Sequence, residues 1–247
     1  MRICLLSDIH ANREALAACL AHAKTIGTDQ FAFLGDLVGY GADPAWVVDT
    51  ITGYCETGAI CVLGNHDEAV FTEARADMRP EARAVVEWTR AQLDQRQRGF
   101  LEQLPLQVER DGMLFVHANA WAPSRWDYIA SPFDARSSMA ATTCRQTFCG
   151  HVHEPQLYHM GADWRAGAFT PVAGTPIPLG AQRRWLAIPG SVGQPRDGNP
   201  AACAALFDTA NRSLTYYRVP YDAAAAAAKV RAAGLPQNLG ARLEAGQ

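Results

Sequence analysis

The chain has 247 residues, of which 49% are apolar and 19% charged, a balance that supplies a buried core and excludes a disordered chain. Its formal net charge of -3 excludes a global field that would attract nucleic acid or an anionic membrane surface, so partners must be recognised locally. The 22 basic residues are arginines except for Lys24 and Lys229, and they are scattered rather than gathered into a stripe.

The chain opens with a short apolar run, Ile3 to Ser7, which reads as a strand. It is too short for a signal-peptide core and Asp8 interrupts it at once, so a cytoplasmic protein without a membrane span is expected. Further strands are expected at Phe31 to Gly35, Ile60 to Gly64, Met113 to His117 and Thr147 to Gly150, each ending in polar residues. Between the first three lie helical stripes, Leu16, Ala17, Leu20 and Ala23, then Trp46, Val47 and Ile51; the alternation implies a parallel sheet with right-handed crossovers. Pro80 to Leu104 reads as helical, opened by Pro80 and closed by Pro105. Beyond His153, frequent Gly and Pro suggest hairpins, with strands at Leu186 to Pro189, Ala202 to Asp208 and Leu214 to Val219 completing a second sheet. The alanine-rich stretch Tyr221 to Ala233 reads as a helix lying on or beside that sheet. Seven cysteines without a Cys-x-x-Cys pair argue against a disulfide framework or a structural zinc site. The strand cysteines read as small buried hydrophobes, with a redox or metal-adjacent role left open for Cys149.

Five of the seven histidines fall in short polar clusters at predicted strand ends. Asp8 and His10 are two residues apart, so on extended backbone they project to the same side. Gly35 and Asp36 form a tight turn, Gly64-Asn65-His66-Asp67 opens a helix, His117 closes a strand, and Gly150-His151-Val152-His153 carries two imidazoles at same-side spacing. Taken singly, most of these also read as helix caps, turns or hydrogen-bonded structural residues. Five strand ends acquiring Asp, Asn and His in this order is what selects a common site.

The ordered set Asp-x-His, Gly-Asp-x-x-Gly, Gly-Asn-His-Asp, His and Gly-His-x-His resembles the calcineurin-like metallophosphoesterase superfamily, and within it the compact bacterial and archaeal phosphodiesterase group. The resemblance runs from Met1 through the loop ending at Asp197 and implies a four-layer α-β-β-α sandwich of two mixed sheets flanked by helices. It also implies that Asp8, His10 and His153 hold one divalent ion, that Asn65, His117 and His151 hold another, and that Asp36 bridges them. His66 would lie beside the ions; its chemistry fits it to protonate the leaving oxygen or to hydrogen-bond to the phosphoryl group, and Asp67 reads equally as the residue that orients it or as a helix-start carboxylate. Ligands spread from residue 8 to residue 153 then have to meet at one centre, so residues 1–247 are expected to form a single domain.

The residue types agree with that chemistry. Carboxylate, amide and imidazole without thiolate suit borderline divalent ions such as Mn, Fe, Zn, Co or Ni. Two such ions about 3.5–4 Å apart can generate a bridging hydroxide for in-line attack on phosphorus. Gly39-Tyr40-Gly41 stands where the superfamily's protein phosphatases carry Asp-Arg-Gly, and Asp67 where they carry Glu. The expected reaction is therefore hydrolysis of a small phosphodiester or nucleotide, with Asn12, Tyr40, Arg125 and Arg196 as candidate substrate contacts. A metal-dependent nuclease, a phosphoprotein or phosphomonoester phosphatase, and a catalytically silent metal-binding regulatory module are the alternatives. Oligomeric state is left open.

Overall fold

The computed structural model describes residues 1–73 and 80–247. Two mixed six-stranded sheets lie at its centre. The first contains β1 (Arg2–Leu6), β2 (Gln30–Phe33), β3 (Ile60–Cys61), β9 (Ile177–Pro178), β11 (Ala202–Asp208) and β12 (Ser213–Val219), in the order β3-β2-β1-β11-β12-β9. The second contains β4 (Gln107–Arg110), β5 (Met113–Val116), β6 (Gln146–Phe148), β7 (Gln156–Met160), β8 (Ala166–Phe169) and β10 (Arg184–Ile188), in the order β4-β5-β6-β10-β7-β8. Among the described residues eight α-helices flank them: α1 (Arg13–Thr25), α2 (Pro44–Glu56), α3 (Asn65–Phe71), α4 (Pro80–Gln92), α5 (Gln95–Glu102), α6 (Pro132–Ala140), α7 (Ala223–Ala232) and α8 (Gln237–Ala245). None of the described helices is long and apolar enough to cross a membrane.

The layering follows from alternation along the strands. In β1, Ile3 and Leu5 join Phe115, Phe148, Trp185 and Ala187 in a core between the two sheets. Their neighbours Cys4 and Leu6 face the opposite way, onto Leu16 and Leu20 of α1 and Val47, Val48 and Ile51 of α2. The second sheet repeats the pattern: Leu114 and Val116 of β5 turn outward onto Ala135 and Met139 of α6. Each central strand is therefore apolar on both faces, which explains its continuous apolar run.

The expected parallel trio is present, with β1 paired in parallel to β2 and β2 to β3. The later strands divide between the sheets instead of all joining the second. β10 lies parallel to β6 and antiparallel to β7, whereas β11 returns to lie antiparallel to β1. The helical stretch expected from Pro80 to Leu104 is broken after Gln92. Asp94 starts a new helix there: its carboxylate accepts from Gln97 N at 2.7 Å, and Gln97 Oε1 accepts from Asp94 N at 3.0 Å. All seven cysteines are free, and burial pushes the Cys149 thiol above its ordinary pKa.

These layers make a graded prediction for stability. Phe148→Ala opens a cavity between the sheets and is expected to cost about 3–5 kcal/mol in denaturant unfolding, whereas exposed Val172→Ala should stay within about 0.5 kcal/mol.

Candidate metal centre

The polar clusters lie at the carboxyl ends of β1, β2, β3, β5 and β6, the end at which open α/β sheets commonly bind ligands. The backbone leaves the extended region there. Asp8, His10 and Asp36 have φ of 53°, 48° and 53°, and His151 and His153 both have 69°. The two-residue spacings thus bring their side chains together through left-handed turns and not along extended strand, as the spacing alone implied. Such conformations cost about 1–3 kcal/mol each for L-residues and persist only where the surroundings hold them. Here Asp8 N donates to Gly35 O at 3.1 Å, His10 N to Asp36 O at 2.9 Å and Ala11 N to Leu37 O at 2.8 Å. Gly64 is required by close approach, because a Cβ there would stand 2.2 Å from both the backbone nitrogen and Oδ1 of Asp36.

Two groups of side chains converge. Asp8, His10, Asp36 and His153 form one, and Asp36, His117 and His151 the other, with the candidate donor atoms in each within 4.8 Å of one another. All six residues are buried, and Asp36 belongs to both groups. Asn65 joins the second, its Oδ1 lying 3.2 Å from His117 Nε2. These are the seven residues that the motifs single out, divided between the same two sets.

Hydrogen bonding sets the direction of the four rings in these groups. His10 Nδ1 donates to Val38 O at 3.1 Å, His117 Nδ1 to Leu34 O at 2.7 Å, His153 Nδ1 to Gln194 O at 2.7 Å and His151 Nε2 to Trp126 O at 2.9 Å. A carbonyl only accepts, so those nitrogens carry the protons and the opposite nitrogens face inward as donors to an ion. His10 Nε2 and His153 Nε2 are 3.1 Å apart, and His117 Nε2 and His151 Nδ1 are 3.2 Å apart.

Burial holds His10 and His153 well below the ordinary imidazole pKa and lowers His151 to about 3, which keeps these rings neutral near pH 7. The His10–His153 contact therefore sets two lone pairs against each other, an arrangement that a cation relieves. Burial works to lower His117 too, but Asp36, with Oδ2 at 3.4 Å, outweighs it and raises this ring to about 9, so its Nε2 also holds a proton near pH 7, which a bound cation would displace. Burial pushes the Asp8 carboxyl up to about 7; for Asp36 the same effect is overcome by His117 and His66, which hold it well below the usual range. Buried carboxylates facing inward imidazole nitrogens fit divalent cations, and the absence of thiolate disfavours soft ones.

Residues 1–212 match the family model described as the calcineurin-like phosphoesterase superfamily domain. The chain belongs to this family. It is 34% identical to uncharacterized protein MJ0912 of Methanocaldococcus jannaschii over 99% of this chain and 98% of that protein. It also resembles a metallophosphoesterase from Sphaerobacter thermophilus, with TM-score 0.89 and 35% identity over 100% of this chain and 99% of that one. Hypothetical protein PH1004 of Pyrococcus horikoshii OT3 shares the fold, with TM-score 0.78 at 18% identity over 100% and 98% of the two chains. The protein is accordingly a metal-dependent phosphoric ester hydrolase, with Asp/His clusters that could hold its metal.

The remaining candidate residues of this phosphoesterase separate by their contacts. The His66 ring stands edge-on to His10, 5.0 Å between centroids, and 4.4 Å from the Tyr40 ring, while its backbone N donates to Asp36 Oδ1 at 2.8 Å. Asp67 does not bond the His66 ring. Its Oδ1 accepts from Leu37 N at 2.8 Å and Val38 N at 3.1 Å, and its Oδ2 from Gly64 N at 3.0 Å, so it ties the Asp36 turn to the start of α3. Asn12 is buried as the cap of α1, with its side-chain amide donating to Gly193 O and Tyr221 OH. Arg125 is exposed and paired with Asp127 at 3.2 Å. Arg196 bonds Gln194 Oε1 at 3.0 Å, and its charge acts on His10, His66 and His153.

Sequence reasoning missed Trp126 and Tyr128. Trp126 aims His151 through its backbone carbonyl, and its indole N–H donates to Glu68 at 3.0 Å; Tyr128 stacks on the His151 ring at 4.0 Å between centroids. The carbonyls of Leu34, Val38 and Gln194 were equally hidden, since any residue type supplies a carbonyl. Asp67→Asn would turn an amide N–H₂ toward backbone donors that a carboxylate now satisfies. It should cost about 1–3 kcal/mol in unfolding free energy and weaken divalent-ion uptake measured by titration; unchanged stability and uptake would refute the tie between the two turns.

Proposed function

We propose that this phosphoesterase is a phosphodiesterase acting on a small phosphodiester or nucleotide through two divalent ions. Asp8, His10 and His153 would hold one, Asn65, His117 and His151 the other, and Asp36 both. The observation that carries this reading is the membership of Asp36 in both donor groups. When bound, the ions would supply Lewis acidity, lowering the pKa of water for in-line attack and neutralising charge on the phosphoryl oxygens. Because each donor group draws on both sheets, residues 1–247 act in this reading as one domain.

The chain's own groups supply the rest. Burial keeps the His66 ring neutral at rest, so it offers an N–H to a phosphoryl oxygen. An arriving phosphate raises the proton affinity of that ring, which fits it to protonate the leaving oxygen. Gly39 leaves the space this requires, since a Cβ there would stand 2.7 Å from His66 Nδ1. Arg196 brings a positive charge to the His10 side, and Tyr40 packs against both His10 and His66 where a protein phosphatase of this superfamily would carry arginine. A tyrosine in that place narrows the approach and favours a small diester over a phosphorylated protein surface.

Protein purified without chelator is expected to carry two divalent ions per chain by elemental analysis and to hydrolyse bis(p-nitrophenyl) phosphate faster than p-nitrophenyl phosphate. Asp36→Asn should lower the ion content and abolish turnover. His66→Gln should keep the ions and lower kcat by about 10²–10⁴. Faster hydrolysis of the monoester would overturn the diester assignment, and full turnover in His66→Gln would remove that residue from the reaction.

A further inference from the structure

Beside the centre a cavity of about 220 Å³ is lined by Asn65, Glu68, Arg125, Trp126, Tyr128 and His151 among others. Its wall is an aromatic platform. Tyr128 lies nearly parallel to His151, at 15°, with one face covered by that ring, and the residue is 53% exposed. The platform is anchored from below, because His151 is itself fixed by its bond to Trp126 O. A large aromatic ring stacked on one face beside a reactive centre, and half exposed, offers contact area at low entropic cost.

The charges around it decide what it can take. Arg125 is already paired with Asp127, and Glu68 contributes a carboxylate to the cavity, so a second phosphate would meet a negative group and no unpaired cation. A neutral planar group meets no such conflict. His66 packs on His10 of the first donor group and Tyr128 on His151 of the second, so a leaving oxygen that departs toward His66 leaves the arm at Tyr128 on phosphorus.

We propose that Tyr128 is a stacking subsite for a planar aromatic ring on the retained arm of the phosphodiester, a nucleobase or an aryl group joined to the reacting phosphate without further phosphates between. This rests on the phosphodiesterase reading above. The test uses three esters that share p-nitrophenol as leaving group: methyl, phenyl and thymidine 5′-p-nitrophenyl phosphate. The metal-loaded protein should show a KM about tenfold lower for the phenyl or the thymidine ester than for the methyl ester. Preference for only one of the two identifies the arm as aryl or nucleoside. Tyr128→Phe should keep that ratio and Tyr128→Ala should collapse it toward one. Equal KM values in the wild type, or a Tyr128→Ala loss that falls equally on all three esters, would overturn the subsite. If no ester is turned over, the phosphodiesterase reading fails, and calorimetry with thymidine 5′-monophosphate still decides the platform: about tenfold weaker binding to Tyr128→Ala sustains it, and equal binding overturns it.

Discussion

The arrangement at the strand ends depends on the placement of one carboxylate, Asp36. It stands 3.7 Å from His10 and 3.4 Å from His117, residues that belong to different sheets and to different donor groups. Moving it by an ångström would separate the two groups, so the chain constrains it from several directions. Gly35 at φ 85° starts the turn, Gly64 lacks the Cβ that would displace it, and His66 N takes one of its oxygens. Asp67 then holds the next two backbone nitrogens, those of Leu37 and Val38. The conformational strain of a left-handed Asp is thereby shared among contacts that have no part in the chemistry themselves.

Rings are controlled in the same way. Each of the four inward-facing imidazoles spends one nitrogen on a backbone carbonyl, and three of them consequently present Nε2 while His151 presents Nδ1. The reversal at His151 comes from the left-handed Trp126, whose carbonyl lies on the outer side of that ring. This places the His151 face, and not its edge, against Tyr128. A choice of ring nitrogen at a candidate ligand is therefore linked to the shape of the cavity beside it.

This division explains what the amino-acid sequence made legible. Residues whose side chains make up the candidate centre, Asp8, His10, Asp36, Asn65, His117, His151 and His153, were visible because their chemistry is unusual after apolar strands. The central strands were visible because both faces are buried, giving unbroken apolar runs such as Met113 to Val116. Edge and hairpin strands such as Gln107–Arg110 and Ala166–Phe169 were not, since exposed polar or small residues lack that signal. For Asp67 the sequence leaves two readings, a partner of His66 and a helix-start carboxylate, and the contact with Gly64 N matches the second, since a helix start turns neighbouring side chains apart. Trp126 was out of reach because its hold on His151 runs through the carbonyl, and Tyr128 because its partner is more than twenty residues away in the chain.

The two-sheet construction has an energetic consequence for the centre. The first donor group takes Asp8, His10 and Asp36 from the ends of one sheet and His153 from the other; the second takes His117 and His151 from the second sheet and Asp36 from the first. Neither can assemble on an isolated sheet. A cation bound by either group therefore favours the packed arrangement of both sheets over any opened one, by an amount set by its affinity and free concentration. The converse holds as well: the apolar core of Leu5, Phe115 and Phe148 that presses the sheets together also sets the spacing of the donor atoms at their ends. Loss of packing there would be felt at Asp36 and the imidazoles without any change in the residues that face the ion.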